Sequence, residues 1–345
     1  MTFDITPLSR DADVDIRRRI DARLKPPGAL GELETLALQL VRLLGDSQPQ
    51  LTSPTLLLFA GDHGVVTEGV SVAGAEVTAL MVSRFGAGDA SVNVFCRQAQ
   101  MALRVIDCGI VTPPAAQAWL TDARLGAGTA PLHREAAMSL AQLDEGLANG
   151  RRLAHEQHHR GSNLIALGEM GIGNTTSASA LMAALTRLPV SACVGDGSGI
   201  DADTYRRKRD IVTQALARHA AVLDSPRDSL AALGGFEIVT MVGAILGAAE
   251  CGMAVLVDGF ITTVAACYAC RLYPATRDYL IFAHCGSERG HRALLDELEA
   301  RPLLSLQLRM GEGAGAALAL PLLRSALAFY NEMASFADVG LDLSS

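Results

Sequence analysis

Two carboxylates set among glycines are the residues of this chain best suited to chemistry. Glu169 stands in GEMGIGNTTSASA, which begins at Gly168, and Glu312 stands between Gly311 and Gly313, just ahead of an alanine-rich stretch. The run 163–167 ahead of Glu169 is apolar and of strand length. It is predicted to stop at Gly168-Glu169 and pass through Gly171 and Gly173 to Asn174, Thr175 and Thr176. From Ser177 onward the small residues read as a helix, with Asn174 or Thr175 as its N-cap. Strand, glycine turn and helix start together suit a phosphate, because backbone N–H groups come close to the ligand and the helix dipole favours an anion. Glu169 then sits at the mouth of an anion site. A glutamate in apolar surroundings such as those around Glu312 has its pKa raised, which suits it to taking a proton near neutral pH.

Basic residues add a second signal. The chain has 29 of them, but only Lys25 and Lys208 are lysines. A genome that favours arginine would spare lysine where a compact ammonium is needed, which makes both candidates for such sites. Lys208 lies in YRRKRD, which also fits a solvated helix face. Asp62 and His63, in GDHG, read equally as strand-end caps and as substrate contacts.

Other patterns carry less. HEQHH, from His155 to His159, fits H-E-x-x-H, but it falls at the expected end of a helix before Gly161 and lacks a spaced third ligand. No metal site is therefore expected. Cys267 and Cys270 have C-x-x-C spacing inside an alanine-rich helical stretch, where core packing is the expected role. Asp258, in VLVDGFITT, stands alone, whereas a loop holding phosphoribosyl pyrophosphate needs two adjacent acids. There is no G-x-x-x-x-G-K-[ST] loop, and no G-x-G-x-x-G follows the first strand.

The elements that must position these groups begin with helical segments between residues 11 and 44, broken at Pro26-Pro27-Gly28, and a linker at 45–54. From Thr55 apolar runs alternate with helical stretches. The runs are 56–60, 103–107, 164–167, 190–194, 254–257 and 279–283, and each ends on glycine, acid or histidine. This pattern predicts an α/β fold: a mainly parallel six-stranded sheet with helices on both faces, and one active-site rim at the strand carboxyl ends. The division expected is 1–50 for N-terminal helices, 51–300 for a large α/β catalytic domain, and 301–345 for a C-terminal helical segment. The two ends would complete a small helical domain.

Half of the 345 residues are apolar and 19% are charged, enough to build a large core. The net charge of −8 argues against a nucleic-acid or membrane-surface binder, though not against a small anionic ligand. No apolar run spans a bilayer, the N-terminus lacks a signal-peptide core, and seven cysteines fit free thiols in a reducing cytoplasm.

The motifs KPPGALGELETLALQL, GDHGV, GEMGIGNTTSASAL, GGFEI, VLVDGFI and LRMGEGAGAALAL, in this order, resemble the nicotinate-nucleotide:dimethylbenzimidazole phosphoribosyltransferases. The likeness runs from about Arg23 to Leu327. It implies a homodimer, each subunit with a Rossmann-like large domain and a small helical domain. The activity implied is transfer of the 5-phosphoribosyl group from nicotinate mononucleotide to 5,6-dimethylbenzimidazole, in cobalamin lower-ligand assembly, without metal or cofactor. The products would be nicotinate and α-ribazole 5′-phosphate. By the same resemblance Glu312 is the general base, while Glu169 and Lys208 are further catalytic positions. Gly171, Gly173, Asn174, Thr175, Gly197, Ser198, Gly199, Ser287, Gly311 and Gly313 would hold the substrate. The chain departs from relatives at Gly74, where proline is common, and at Met81, where one branch carries glutamine. An acceptor pocket around residues 72–85, with Gly74, Met81 and Phe85, is expected to tolerate several benzimidazoles, because methionine is a flexible apolar wall. Two other functions fit the residues: a nucleoside-phosphate hydrolase or transferase using another base, and a non-catalytic nucleotide-binding regulator.

Overall fold

The computed structural model describes residues 1–115, 117–195 and 199–341. Its centre is a six-stranded, wholly parallel sheet. The strands are β1 (Thr55–Gly61), β2 (Ala102–Gly109), β3 (Leu120–Asp122), β4 (Leu164–Met170), β5 (Ala254–Val257) and β6 (Leu280–Phe282). Every residue of β1 is buried, as expected of a strand covered on both faces. Side chains alternate across the pleat: Leu57 and Phe59 join one apolar cluster, while Leu56, Leu58 and Ala60 join the other.

Helices fill both faces. α1 (Asp13–Asp21), α2 (Glu32–Leu44), α3 (Glu76–Ala87) and α4 (Ser91–Gln98) supply the second cluster. The other face takes α5 (Leu140–His159), α6 (Asn174–Thr186), α7 (Val190–Cys193), α8 (Ala202–Arg218) and α9 (Pro226–Leu233). It also takes α10 (Phe236–Glu250), α11 (Phe260–Leu272) and α12 (His291–Glu297). The last helix, α13 (Ala314–Glu332), returns to the first face and packs on α2 and α4. The chain ends meet there, where Leu24 donates its N–H to the Ala334 carbonyl at 2.8 Å. Their apolar residues continue those of the sheet, from Leu40 through Leu58 to Leu320.

The strand order is β3-β2-β1-β4-β5-β6. The chain therefore builds outward from β1 on one side, then returns to build outward from β4 on the other. In such a sheet the carboxyl ends of the two central strands part, and ligands bind in the crevice between them.

Three expectations are corrected. The run 190–194 is not a strand: Val190–Cys193 forms the short helix α7, with the Ala192 N–H bonded to the Pro189 carbonyl at 2.8 Å. Pro189 pre-sets a turn at the start of the run. The sixth strand is instead β3, whose residues at the sheet edge carry no apolar run. β4 continues past Leu167 to Met170, so Glu169 lies on the strand, opposite Phe59. Finally, α6 starts at Asn174 rather than Ser177, with Gly173 as N-cap at φ +92° and no capping side chain.

Candidate active site

Outside the carboxyl ends of β4, β5 and β6 lies a cleft of about 210 Å³, whose lining includes Glu169, Asn174, Thr175, Gly259, His284 and Glu312. These come from the ends of β4, β5 and β6, the first turn of α6, and the turn before α13. The topology alone brings them together.

Glu169 points into this cleft from the end of β4 and is nearly buried. Its Oε2 accepts a short hydrogen bond from Asn174 Nδ2. Burial pushes its carboxyl up to about 8, with the charges of Glu237, Asp258 and Glu312 adding to the rise and the Asn174 bond opposing it. Asn174 therefore does not cap α6, because its side chain is engaged by the glutamate at the strand end. Gly311 leaves room for the same carboxyl: a Cβ there would stand 1.9 Å from Glu169 Oε1.

Glu312 occupies the left-handed region at φ +69°, followed by Gly313 at +83°. Such a conformation is costly for a residue with a side chain and persists only where the surroundings impose it. Here its N–H donates to the Glu169 carbonyl at 3.1 Å, and its carbonyl rests where a side chain on Gly168 would be. The Glu312 carboxyl accepts from Ser91 Oγ at 3.2 Å. Burial raises its pKa, the Ser91 bond lowers it, and the charge of Asp258 raises it again.

Lys208 reaches from α8 to the first turn of α6. Its side chain is among the largest that are wholly buried, and Nζ donates to Thr175 Oγ1 at 2.8 Å. A buried ammonium, the start of α6 and the glycine turn suit this wall of the cleft to an anion. The two carboxyl groups that line the same cleft are suited to a cation or a proton.

A phosphoribosyltransferase family model, DBI_PRT, matches residues 5–341. A nicotinate-nucleotide–dimethylbenzimidazole phosphoribosyltransferase from Shewanella amazonensis is 55% identical over 339 residues, covering 98% of each chain. One of the same name from Shewanella oneidensis is 54% identical over 342 residues, covering 99% of this chain and 98% of that one. The chain belongs to the nicotinate-nucleotide–dimethylbenzimidazole phosphoribosyltransferase family. Among solved structures, one named CobT from Thermus thermophilus has a TM-score of 0.93 at 41% identity, with 97% of this chain and 100% of that one covered. A second from that organism, named as the phosphoribosyltransferase, has a TM-score of 0.91 at 41% identity over 96% of this chain and 98% of that one.

Within this cleft Glu169, Gly171, Gly173, Asn174, Thr175, Gly311 and Glu312 are gathered, with Gly313 adjoining in sequence and Lys208 one contact away. Ser287 lies exposed between two lining residues, its N–H bonded to the Leu308 carbonyl at 3.0 Å. Gly199 is exposed, while Gly197 and Ser198 lie outside the described residues. Gly74, Met81 and Phe85 are not brought to this cleft. Phe85 belongs with Thr78 and Val82 to the buried stripe of α3, and Met81 packs beside it. The helix reaches the glycine turn through Thr78, whose Oγ1 accepts the Ile172 N–H at 3.1 Å.

The remaining candidates are structural partners. Lys25 Nζ lies 2.8 Å from Glu34 Oε1, tying the Pro26-Pro27-Gly28 break to α2. Asp62 Oδ2 accepts the Val111 N–H at 2.8 Å, and His63 Nε2 lies 2.7 Å from Glu237 Oε1 in full burial. His155 faces Glu250 at 3.2 Å. Cys267 is core, and burial pushes both its thiol and that of Cys270 up, the latter to about 12. All seven cysteines are unpaired. Among the described residues no helix is long and apolar enough to cross a membrane. Ser91, Asp258 and His284 stand beside these groups, and sequence reasoning gave none of them a role in the site. Asp258 and His284 carried a signal, as the acid and the histidine that end two strand runs, whereas Ser91 carried none.

Proposed function

We propose that this phosphoribosyltransferase moves the 5-phosphoribosyl group of nicotinate mononucleotide to 5,6-dimethylbenzimidazole or a related aromatic base, as a step of cobalamin nucleotide-loop assembly. The observation that carries the reading is the meeting of Glu169 and Glu312 in one cleft beside the start of α6. The glycine turn, Thr175 and Lys208 take the phosphate. The bond between C1′ and the pyridinium nitrogen breaks, and its electron pair neutralises the ring as nicotinate leaves. Positive charge then grows on the ribose, and Glu169 faces it. Burial and neighbouring carboxylates keep Glu169 protonated up to about pH 8 when the cleft lacks a cation. A pyridinium or oxocarbenium beside it favours the carboxylate form.

A ring nitrogen of the benzimidazole forms the new bond to C1′, and Glu312 takes the ring N–H proton. Its raised pKa, from burial and the facing charge of Asp258, suits it to this role near neutral pH. Glu312→Gln is expected to lower turnover by roughly 10²–10⁴ with nucleotide affinity little changed. Nicotinate release is the assay, with calorimetry for binding, and wild-type turnover would remove the base from Glu312. Nicotinate release without an aromatic base would favour a hydrolase instead. The enzyme works as a homodimer, which the exposed Val72, Leu80 and Leu306 support as apolar side chains to be covered. A single-chain mass by light scattering would contradict this.

A further inference from the structure

The left-handed geometry of Glu312 must be held by something other than Glu312 itself. One peptide is pinned from β4, since the Glu312 N–H donates to the Glu169 carbonyl at 3.1 Å. The next peptide is pinned from β5. Asp258, directly after Val257 and 2% exposed, accepts the Gly313 N–H on Oδ2 at 3.2 Å and the Ala316 N–H on Oδ1 at 2.8 Å. No side chain of its own caps α13, so a carboxylate from another strand supplies the cap. The Gly313 N–H belongs to the peptide that follows Glu312, so this bond fixes the backbone on the far side of the glutamate. Close packing leaves Asp258 little freedom. His284, just past the end of β6, lies with Nε2 3.6 Å from Asp258 Oδ1, and neither ring nitrogen has a hydrogen-bond partner among the described residues. A Cβ on Gly315 would stand 2.1 Å from the His284 ring and 2.9 Å from Asp258 Oδ1.

The geometry points to Asp258, backed by His284, as the positioning residue of the general base: it locks the Glu312 turn from the β5 side and faces the base with negative charge. This rests on Glu312 as the base. The charge also bears on Glu312's affinity for a proton, since Asp258 raises its pKa behind burial and against the Ser91 bond. The titratable groups facing this cluster are Glu169 from β4, Glu237 from α10, and His284, with His291 of α12 edge-on to the last. His291 is neutral, its pKa lowered to about 3 by burial and the neighbouring His284 and Arg292, so it adds no charge.

Asp258→Asn tests both parts. The amide can accept one of the two backbone N–H groups but turns a donor toward the other, and it removes the charge. Turnover is expected to fall roughly a hundredfold, the cost of misplacing a catalytic group, while the KM for nicotinate mononucleotide stays within about threefold. The acid limb of the pH profile of kcat should move to lower pH, because the base loses a negative neighbour. A residue that merely stabilised the fold would leave that limb in place. Unchanged turnover, or a fall with the limb unmoved, overturns the inference. If the amide variant does not fold, Asp258→Glu keeps the charge and lengthens the arm. Turnover should then fall with the limb in place, and wild-type turnover would overturn the positioning role. In a Glu312→Gln background Asp258→Asn should cost less than about threefold further, since it acts through the base. If Glu312→Gln is itself fully active, the base assignment fails. If Glu312→Gln is inactive and Asp258→Asn is wild-type, only the positioning role fails.

Discussion

Replacing Glu169 by glutamine should make the stability of the protein less dependent on pH, by an amount the site defines. The glutamate is buried at the end of β4, its pKa raised from the ordinary 4.5 to about 8, first by burial and then by the charges of Glu237, Asp258 and Glu312. An acid with a raised folded-state pKa binds its proton more tightly in the native protein. Its contribution is fully present below about pH 4.5 and is lost as pH rises through about 8. At about 1.4 kcal/mol per pH unit, the whole window is worth about 5 kcal/mol. Glutamine keeps the shape and does not titrate. It can also keep a bond to Asn174, with its carbonyl oxygen in the place of Oε2. The stability of Glu169→Gln minus that of wild type should therefore rise by roughly 1.4 kcal/mol per unit between pH 5 and 8 and flatten above it.

Denaturant unfolding of both proteins at pH 5, 6, 7, 8 and 9 measures the difference. The groups shared by the two proteins largely cancel. A difference that stays flat within about 1 kcal/mol from pH 5 to 9 would mean that Glu169 titrates near its ordinary value. The cleft would then have no need of a cation to ionise it.

Two further substitutions probe the walls of the cleft. Lys208→Arg keeps the charge, but the wholly buried ammonium donates to Thr175 from a space that a planar fork does not fit. Affinity for nicotinate mononucleotide, measured by calorimetry, should fall at least about tenfold, or about 1.4 kcal/mol, and unchanged affinity would return Lys208 to a structural role. Gly311→Ala places a Cβ 1.9 Å from Glu169 Oε1, where the carboxyl has to turn aside. Turnover should drop by roughly a hundredfold with the fold intact by circular dichroism, because small displacements of catalytic groups are costly. Wild-type turnover would show that the carboxyl's position does not matter.

Much of the fold was legible because burial on both faces writes itself as uninterrupted apolar runs. β1, β4 and β5 have that signature. β3 does not, since its three residues at an edge, two half-buried and one exposed, have no need of it. The run at Val190–Cys193 has the composition of a strand, but Pro189 turns it into a helix. What no local pattern could reveal is contact between segments far apart in sequence. Asp258 read as an isolated acid because the backbone groups it binds belong to α13. Ser91 read as an ordinary helix start, although its hydroxyl serves Glu312.

The triplet Gly311-Glu312-Gly313 shows how one motif can hold three separate requirements. Its first glycine has no left-handed backbone to accommodate, and is needed because any side chain would strike the Glu169 carboxyl. Its last glycine has φ +83° and lies on Leu56 and Gly168, so both conformation and space demand it. Between them a glutamate holds φ +69°, a position where glycine would be the easier residue. What the left-handed backbone does here is present the Glu312 side chain to the cleft, a group glycine lacks. The glycines alone suggest a flexible turn. With Glu169 on one side and Asp258 on the other, the turn is instead a rigid mount that aims one carboxyl into the cleft.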